Sequence, residues 1–235
     1  MDKCGNNIYN SYITTMQNDI SIIYNEVKTM KVLLINGSPK EKGCTYTALN
    51  EVATELNKQG IETEILHLGK EPIADCKDCS ACRKLKKCVI NDKVNEVIEK
   101  VDETDGFVFG SPVYYASASA QLLAFMDRLF FARGKAFRTK PAAAVVSCRR
   151  GGASAAFDTI NKYFMMNSMP VVTSQYWNQV HGFTPEDVLQ DAEGLQTMRT
   201  LAKNMAWLLK CIEAGRQNGV AEPEYERITL TNFIK

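Results

Sequence analysis

The chain reads as an α/β domain: a doubly wound, five-stranded parallel sheet with helices on both faces. Three observations predict this. From residue 31 onward, strand-like and helix-like segments alternate. The strands are near-continuous apolar runs, as in FVFG at 107–110 and AAAVVS at 142–147, which suit strands covered on both faces. Three strand ends also open into loops rich in glycine, hydroxyl and basic residues. That is where an open α/β sheet takes its ligands.

Composition bounds the rest. At 235 residues, one well-buried core is expected. The apolar fraction of 45% and charged fraction of 23% are those of an ordinary globule. A net charge of +1 argues against bulk attraction to nucleic acid or membrane. No apolar run approaches the roughly 20 residues of a membrane span, and the N-terminus lacks the apolar core of a secretory signal. A cytoplasmic location is expected. There the eight cysteines would stay reduced, and their clustering points to metal or redox chemistry rather than disulfides.

Residues 1–30 are expected to be an N-terminal extension. Ile13, Met16, Ile20, Ile23, Tyr24 and Val27 fall at helical spacing, predicting an amphipathic helix over 11–29 that could pack on a partner subunit. Met30 reads equally as a fresh start followed at once by the first strand. The domain itself is expected over 31–215. Strands are predicted at 31–36, 62–67, 105–110, 142–147 and 170–176. Helices are predicted at 44–58, 92–101, 117–131, 152–165 and 192–214. In the last helix, Leu195, Met198, Leu201, Met205, Leu208, Leu209 and Ile212 recur every three or four residues and read as core packing. Residues 216–235 are expected to be a tail with an edge-strand fragment, RITLTNF.

The first loaded strand end is Asn36 to Thr47. It sets free backbone N–H groups and the positive end of a helix against the carboxyl edge of the sheet. It lacks the ending of a Walker A loop and the spacing of a dinucleotide loop. A monophosphate held by amides and hydroxyls fits, and FMN is the common cofactor of that kind. The candidate ligands are Ser38, Lys40, Gly43, Cys44, Thr45, Tyr46 and Thr47, with Ser38, Thr45 and Thr47 as hydroxyl donors. A plain capped turn remains the alternative.

The other two strand ends can serve a flavin ring, which needs an apolar wall and N–H groups near its polar edge. Pro112, Val113, Tyr114, Tyr115 and Ser117 follow the third strand and can supply the wall. Ser147, Arg149, Arg150, Gly151 and Gly152 follow the fourth and can supply close amides and positive charge. No protein acid or base is required, because the flavin itself carries the hydride. His67 and His181 are too isolated to assign.

Cys76, Cys79, Cys82 and Cys88 lie within thirteen residues, spaced C-x2-C-x2-C-x5-C. Four thiolates are what a [4Fe–4S] cluster takes. The last spacer is longer than in a ferredoxin run, so Cys88 could fold back onto the same cluster. Lys77, Arg83, Lys84, Lys86 and Lys87 surround the thiols. They could offset the negative charge of a ligated cluster and dock an acidic carrier. Zinc and free thiols stay open, although zinc sites usually pair two C-x2-C knuckles across a longer gap. Cys4, Cys44, Cys148 and Cys211 read as buried or incidental.

Together, GSPKEKGCT, the cysteine loop, GSPVYYASASAQLLAFMDR and SCRRGGAS resemble the NADPH-dependent FMN reductase group of flavodoxin-like proteins, and its iron-sulfur flavoproteins in particular. The resemblance covers about residues 31–215. It implies strand order 2-1-3-4-5, FMN held by the three loops, and a homodimer or homotetramer whose sites a neighbouring subunit completes. The implied activity passes electrons from NAD(P)H or a ferredoxin-like carrier to a small-molecule acceptor such as a quinone or flavin. A non-enzymatic electron carrier or redox sensor, with an empty or zinc-filled cysteine loop, is the alternative reading.

Overall fold

A computed structural model describes residues 29–231. The expected helix at 11–29 therefore lies almost wholly outside the described residues. The first strand, β1 (Lys31–Asn36), leads into helix α1 (Cys44–Lys58) and strand β2 (Glu62–His67). The cysteine loop follows and includes one short helix, α2 (Cys82–Leu85). Next come α3 (Lys93–Lys100), β3 (Gly106–Tyr114), β4 (Ser117–Ala118) and α4 (Ala120–Arg133). A 3-10 turn at Gly134–Phe137 precedes β5 (Ala142–Cys148) and α5 (Ala153–Met166). Strand β6 (Gln179–His181), α6 (Pro185–Gln190) and α7 (Ala192–Gln217) close the described elements.

The main sheet is parallel in the order β2-β1-β3-β5-β6. Counted as five parallel strands, this is the expected order 2-1-3-4-5. Side-chain alternation splits the core between the two faces. Leu33, Ile35, Phe107 and Phe109 point to one side, where α3, α4 and α5 cover them. Val32, Leu34, Val108 and Val145 point to the other, against α1 and α7. Because both faces are dry at the centre of the sheet, β1, β3 and β5 are largely apolar, whereas the edge strands β2 and β6 carry Glu62, Thr63, Glu64, Gln179 and His181.

Three expectations are corrected. The strand expected at 170–176 makes only an isolated bridge, Val171 to Ala142, and the paired strand comes later, at 179–181. In between, the Ser174 hydroxyl lies 2.6 Å from the Tyr176 carbonyl and 2.7 Å from Asn178 Oδ1. These local side-chain bonds compete with the ladder and push the chain out in a bulge. The helix expected from 117 begins at Ala120, because Ser117 and Ala118 turn back to pair antiparallel with β3. The described part of RITLTNF, residues 227–231, forms no strand and pairs with none. None of the described helices is long and apolar enough to cross a membrane.

Phe109 holds one face of the core together. It is fully buried and its ring packs against Phe107, Phe130 and Phe164. Phe109→Ala would remove contacts with β3, α4 and α5 at once. The expected loss is about 3–5 kcal/mol of unfolding free energy, read as a fall in the urea midpoint at unchanged slope.

Candidate flavin and cluster site

The three loaded loops meet because two backbones approach without side chains between them. Gly37 N donates to Gly110 O at 2.9 Å. A Cβ on Gly37 would lie 2.8 Å from Leu122 Cβ, and one on Gly110 would lie 2.7 Å from Leu49 Cδ1. Neither position has room for a larger residue. The Asn36–Thr47 loop is then tied from inside. Asn36 Oδ1 accepts from Ser38 N, Asn36 Nδ2 donates to Glu41 O, and His67 Nε2 donates to Ser38 O at 2.8 Å. His67, unassigned from sequence, thus clamps this loop.

The loop ends on a bare helix start. Gly43 caps α1 with no side-chain hydrogen bond, and the first turn carries no acidic residue. The N–H groups of Cys44, Thr45 and Tyr46 have no intrahelical partner by helix geometry, and they face outward with the positive end of the dipole. Ser38 Oγ accepts from Lys40 N, which leaves its own proton to donate. Two expected hydroxyl donors are otherwise engaged. Thr45 Oγ1 shares a buried 2.8 Å hydrogen bond with Ser147 Oγ, and Thr47 Oγ1 donates to Gly43 O. Thr45 and Ser147 therefore act as a strut between α1 and β5 rather than as ligands aimed at solvent.

On the next strand end, β3 and β4 make a hairpin with Tyr115 and Ala116 at its tip. Both have positive φ, 49° and 59°, as a type I′ turn requires, yet neither is glycine or asparagine. Such strain persists where the surroundings impose it. Here Gly152, with φ 88°, packs against Ala116: a Cβ on Gly152 would sit 2.8 Å from Ala116 Cα. Pro112 and Val113 line the base of the hairpin, while Tyr114 and Tyr115 are exposed. Arg149 and Arg150 are exposed beside it, and Gly151 has open space around it. Arg149 shares an open depression with His181, Gly182, Phe183 and Asp187. Burial pushes the Cys44 and Cys148 thiols up. They stay neutral near pH 7, with Cys148 Sγ against His181 Nδ1 at 3.4 Å.

The cysteine loop folds into one pocket. Cys76, Cys79, Cys82 and Cys88 all line a single small cavity, with Val89, Ile90, Arg128 and Phe131. Asp78, Ser80 and Lys86 take positive φ to wind the loop around it. Burial pushes the Cys82 thiol up, and the nearby Cys79, Cys76 and Cys88 push it further. The long spacer thus brings Cys88 back to the other three. Among the described residues, no three His, Cys, Asp or Glu side chains are grouped closely enough to hold one metal ion. A tetrahedral zinc needs its sulfurs about 2.3 Å from a single point. A four-iron cluster takes one thiolate at each of four corners, so its ligands stand further apart.

Two residues that sequence reasoning passed over hold this pocket. Asn95 accepts from Cys88 N and donates to Cys88 O, both at 2.9 Å. Arg128 on α4 is 2% exposed and donates to Cys88 Sγ at 3.3 Å, to Ala74 O, to Ile90 O and to both carboxylate oxygens of Asp92. The signal was present. Arg128 stands among Leu122, Phe125, Met126 and Leu129 on the buried face of its helix, and Asn95 stands beside Val94, Val97 and Ile98. A polar residue on an apolar stripe must have a partner.

Comparisons with known proteins find relatives both in sequence and in fold. Residues 30–184 match the model of the NADPH-dependent FMN reductase family. An iron-sulfur flavoprotein of Methanocaldococcus jannaschii is 38% identical over 192 residues, 78% of this chain and 100% of that one. One from Methanosarcina thermophila is 33% identical over 80% of this chain and 99% of its own. Among solved structures, RosB with bound 8-demethyl-8-formylriboflavin-5′-phosphate matches with TM-score 0.62 at 16% identity, covering 88% of this chain and 94% of that one. An archaeal flavodoxin matches with TM-score 0.52 at 15% identity, covering 77% and 99%.

Neighbouring glycines give a contrast for the loop that follows β5. Gly152→Ala adds strain at positive φ and a clash with Ala116 backbone, and is expected to cost about 1–3 kcal/mol of stability. Gly151→Ala meets nothing and should stay within about 0.5 kcal/mol of wild type. Chemical denaturation of the two variants side by side tests the packing of this loop.

Proposed function

Because the chain belongs to the NADPH-dependent FMN reductase family, and within it to the iron-sulfur flavoprotein group, we propose that its three strand-end loops hold FMN and its cysteine loop a [4Fe–4S] cluster. The protein is an FMN-dependent oxidoreductase. The single observation that carries the site assignment is the convergence of three loops on one sheet edge, locked by Gly37–Gly110, Thr45–Ser147 and Gly152–Ala116.

In this reading, bound FMN supplies both hydride and single-electron chemistry. The first-turn N–H groups of α1 and the Ser38 hydroxyl hold its phosphate. The hairpin from Pro112 to Ser117 walls the ring. The backbone at Gly151 and Gly152 approaches its polar edge, with Arg149 and Arg150 adding positive charge. Tyr114, Tyr115 and Phe183 are exposed at this edge, which suits cover by a second subunit in a homodimer or homotetramer. Residues 31–215 then act as the flavin domain, with 1–30 and 216–235 as appendages.

The cysteine pocket fits a cluster on its donor set. It is all thiol, its four members share one cavity, and a buried guanidinium already faces one sulfur. Reduced thiols suit a cytoplasmic setting. Outside it, Arg83, Lys84, Lys86 and Lys87 are exposed. A cavity of about 810 Å³ adjoins them, lined by Cys82, Arg83, Lys86, Phe131, Arg138 and Lys162 among others. This basic surface suits an acidic, ferredoxin-like carrier, while NAD(P)H is the donor that the family's activity uses. A quinone or flavin is the proposed acceptor.

Anaerobically purified protein is expected to carry about one FMN per chain, together with iron and acid-labile sulfide, and to oxidise NADPH with a quinone. Ser38→Ala should weaken FMN binding roughly tenfold or more, as the loss of a charge-assisted hydrogen bond of about 1.5–3 kcal/mol implies. Thr45→Ala should act mainly on stability, because it strands the buried Ser147 hydroxyl. Unchanged FMN affinity in Ser38→Ala would remove the phosphate from this loop.

Cys79→Ser should abolish the iron and leave FMN bound, since Cys79 touches none of the three loops. Electron exchange with an acidic carrier should slow as salt rises, because exposed charges are screened beyond about 8–10 Å. Flavin absorbance alone, without iron or sulfide in the anaerobic wild type, would sink the cluster assignment and leave the flavin one standing.

A further inference from the structure

Arg128 is a buried charge that flavin binding leaves unused. All five N–H groups of a guanidinium need partners when water is excluded. Here Nε donates to Cys88 Sγ at 3.3 Å, one terminal nitrogen serves Ala74 O and Asp92 Oδ2, and the other serves Ile90 O and Asp92 Oδ1. Four of these five bonds would hold the loop without the sulfur. The fifth aims the guanidinium edge at the one cysteine whose backbone Asn95 has already fixed.

We propose that Arg128 is a positioning residue that sets the reduction potential of the iron-sulfur centre, by donating Nε–H to the sulfur of Cys88. This rests on the cluster assignment made under Proposed function. Reduction adds one electron, and so one negative charge, to a thiolate-ligated centre, with no proton required. A donor held against a ligating sulfur disperses that charge and favours the reduced form, which raises the potential. Asp92 neutralises much of the long-range field of Arg128, so the directional bond to sulfur carries the effect. The guanidinium stays charged throughout: burial opposes its charge, but the bonds to Asp92 and Cys88 outweigh that and hold its pKa above the ordinary value. Lysine cannot replace it, because a single ammonium cannot grip Asp92 in two places and still present a donor at the Nε position.

The test is an anaerobic redox titration of the holoprotein, with dithionite as reductant, following cluster and flavin signals separately. Arg128→Lys keeps the charge and removes the Nε–H. A second variant, Arg128→Met with Asp92→Asn, removes both charges together and retains a good cap for α3. In both, the cluster midpoint is expected to move to more negative potential. Each tenfold loss in the relative stability of the reduced form lowers it by about 59 mV for one electron. The flavin midpoint should not move, because no bond of Arg128 reaches a flavin loop.

An unchanged cluster midpoint in either loaded variant would overturn the proposal. So would loss of iron from both variants with FMN retained, which would reduce Arg128 to a structural anchor. The wild type is measured first. If it holds no iron or sulfide, the cluster assignment itself fails and takes this proposal with it.

Discussion

A guanidinium closed off from water has to satisfy every donor it carries, and the Arg128 hydrogen bonds show how much structure follows from that. The buried charge costs several kcal/mol in isolation. It is tolerated because Asp92 grips it through two oxygens while carbonyls from residues 74 and 90 take further donors. Meeting that requirement draws the beginning and the end of the cysteine loop onto α4. Asp92 simultaneously caps α3 by accepting from Val94 N. The loop therefore closes around its thiols before any metal is considered.

The same helix reaches the side proposed for the flavin. Ser119 caps α4 by accepting from Leu122 N and donates its own proton to Gly37 O in the loop after β1 at 2.8 Å. Its backbone N–H donates to Ser111 Oγ, within β3. Ser119 and Arg128 are nine residues apart, about 13 Å of helix. One rigid element thus fixes the spacing between the loop after β1, proposed to hold the phosphate, and Cys88. Left-handed backbone strain occurs on both sides of this frame, at Asp78, Ser80 and Lys86 in the cysteine loop and in the Tyr115–Ala116 turn that Gly152 supports. A site built on strand ends and one helix keeps its geometry better than one built on free loops.

Much of the fold was legible because burial on both faces leaves strong marks. FVFG and AAAVVS could be little else than central strands, and the stripe of the last helix matched α7 to within a few residues. The short fifth strand was misplaced because residues 170–172 look more strand-like than Gln179–His181. Local hydroxyl and amide bonds at Ser174 and Asn178 decided where pairing resumed, and periodicity does not register them. The candidate ligand loops were found by composition, but the direction of each hydroxyl was not. Thr45 turned inward to Ser147, a residue 102 positions away in the chain.

By itself, the sequence determined the layers, the strand order through its resemblance, and the four thiols that belong together. Those properties depend on local pattern and on spacing within one loop. Only the tertiary structure decided that Arg128 faces Cys88, that His67 clamps Ser38, and that Gly152 props the strained hairpin. Each of these pairs joins residues 29 to 40 positions apart. The energy of such a contact comes from excluding water between groups that only the folded sheet brings together, so nothing in the neighbourhood of either residue announces the other.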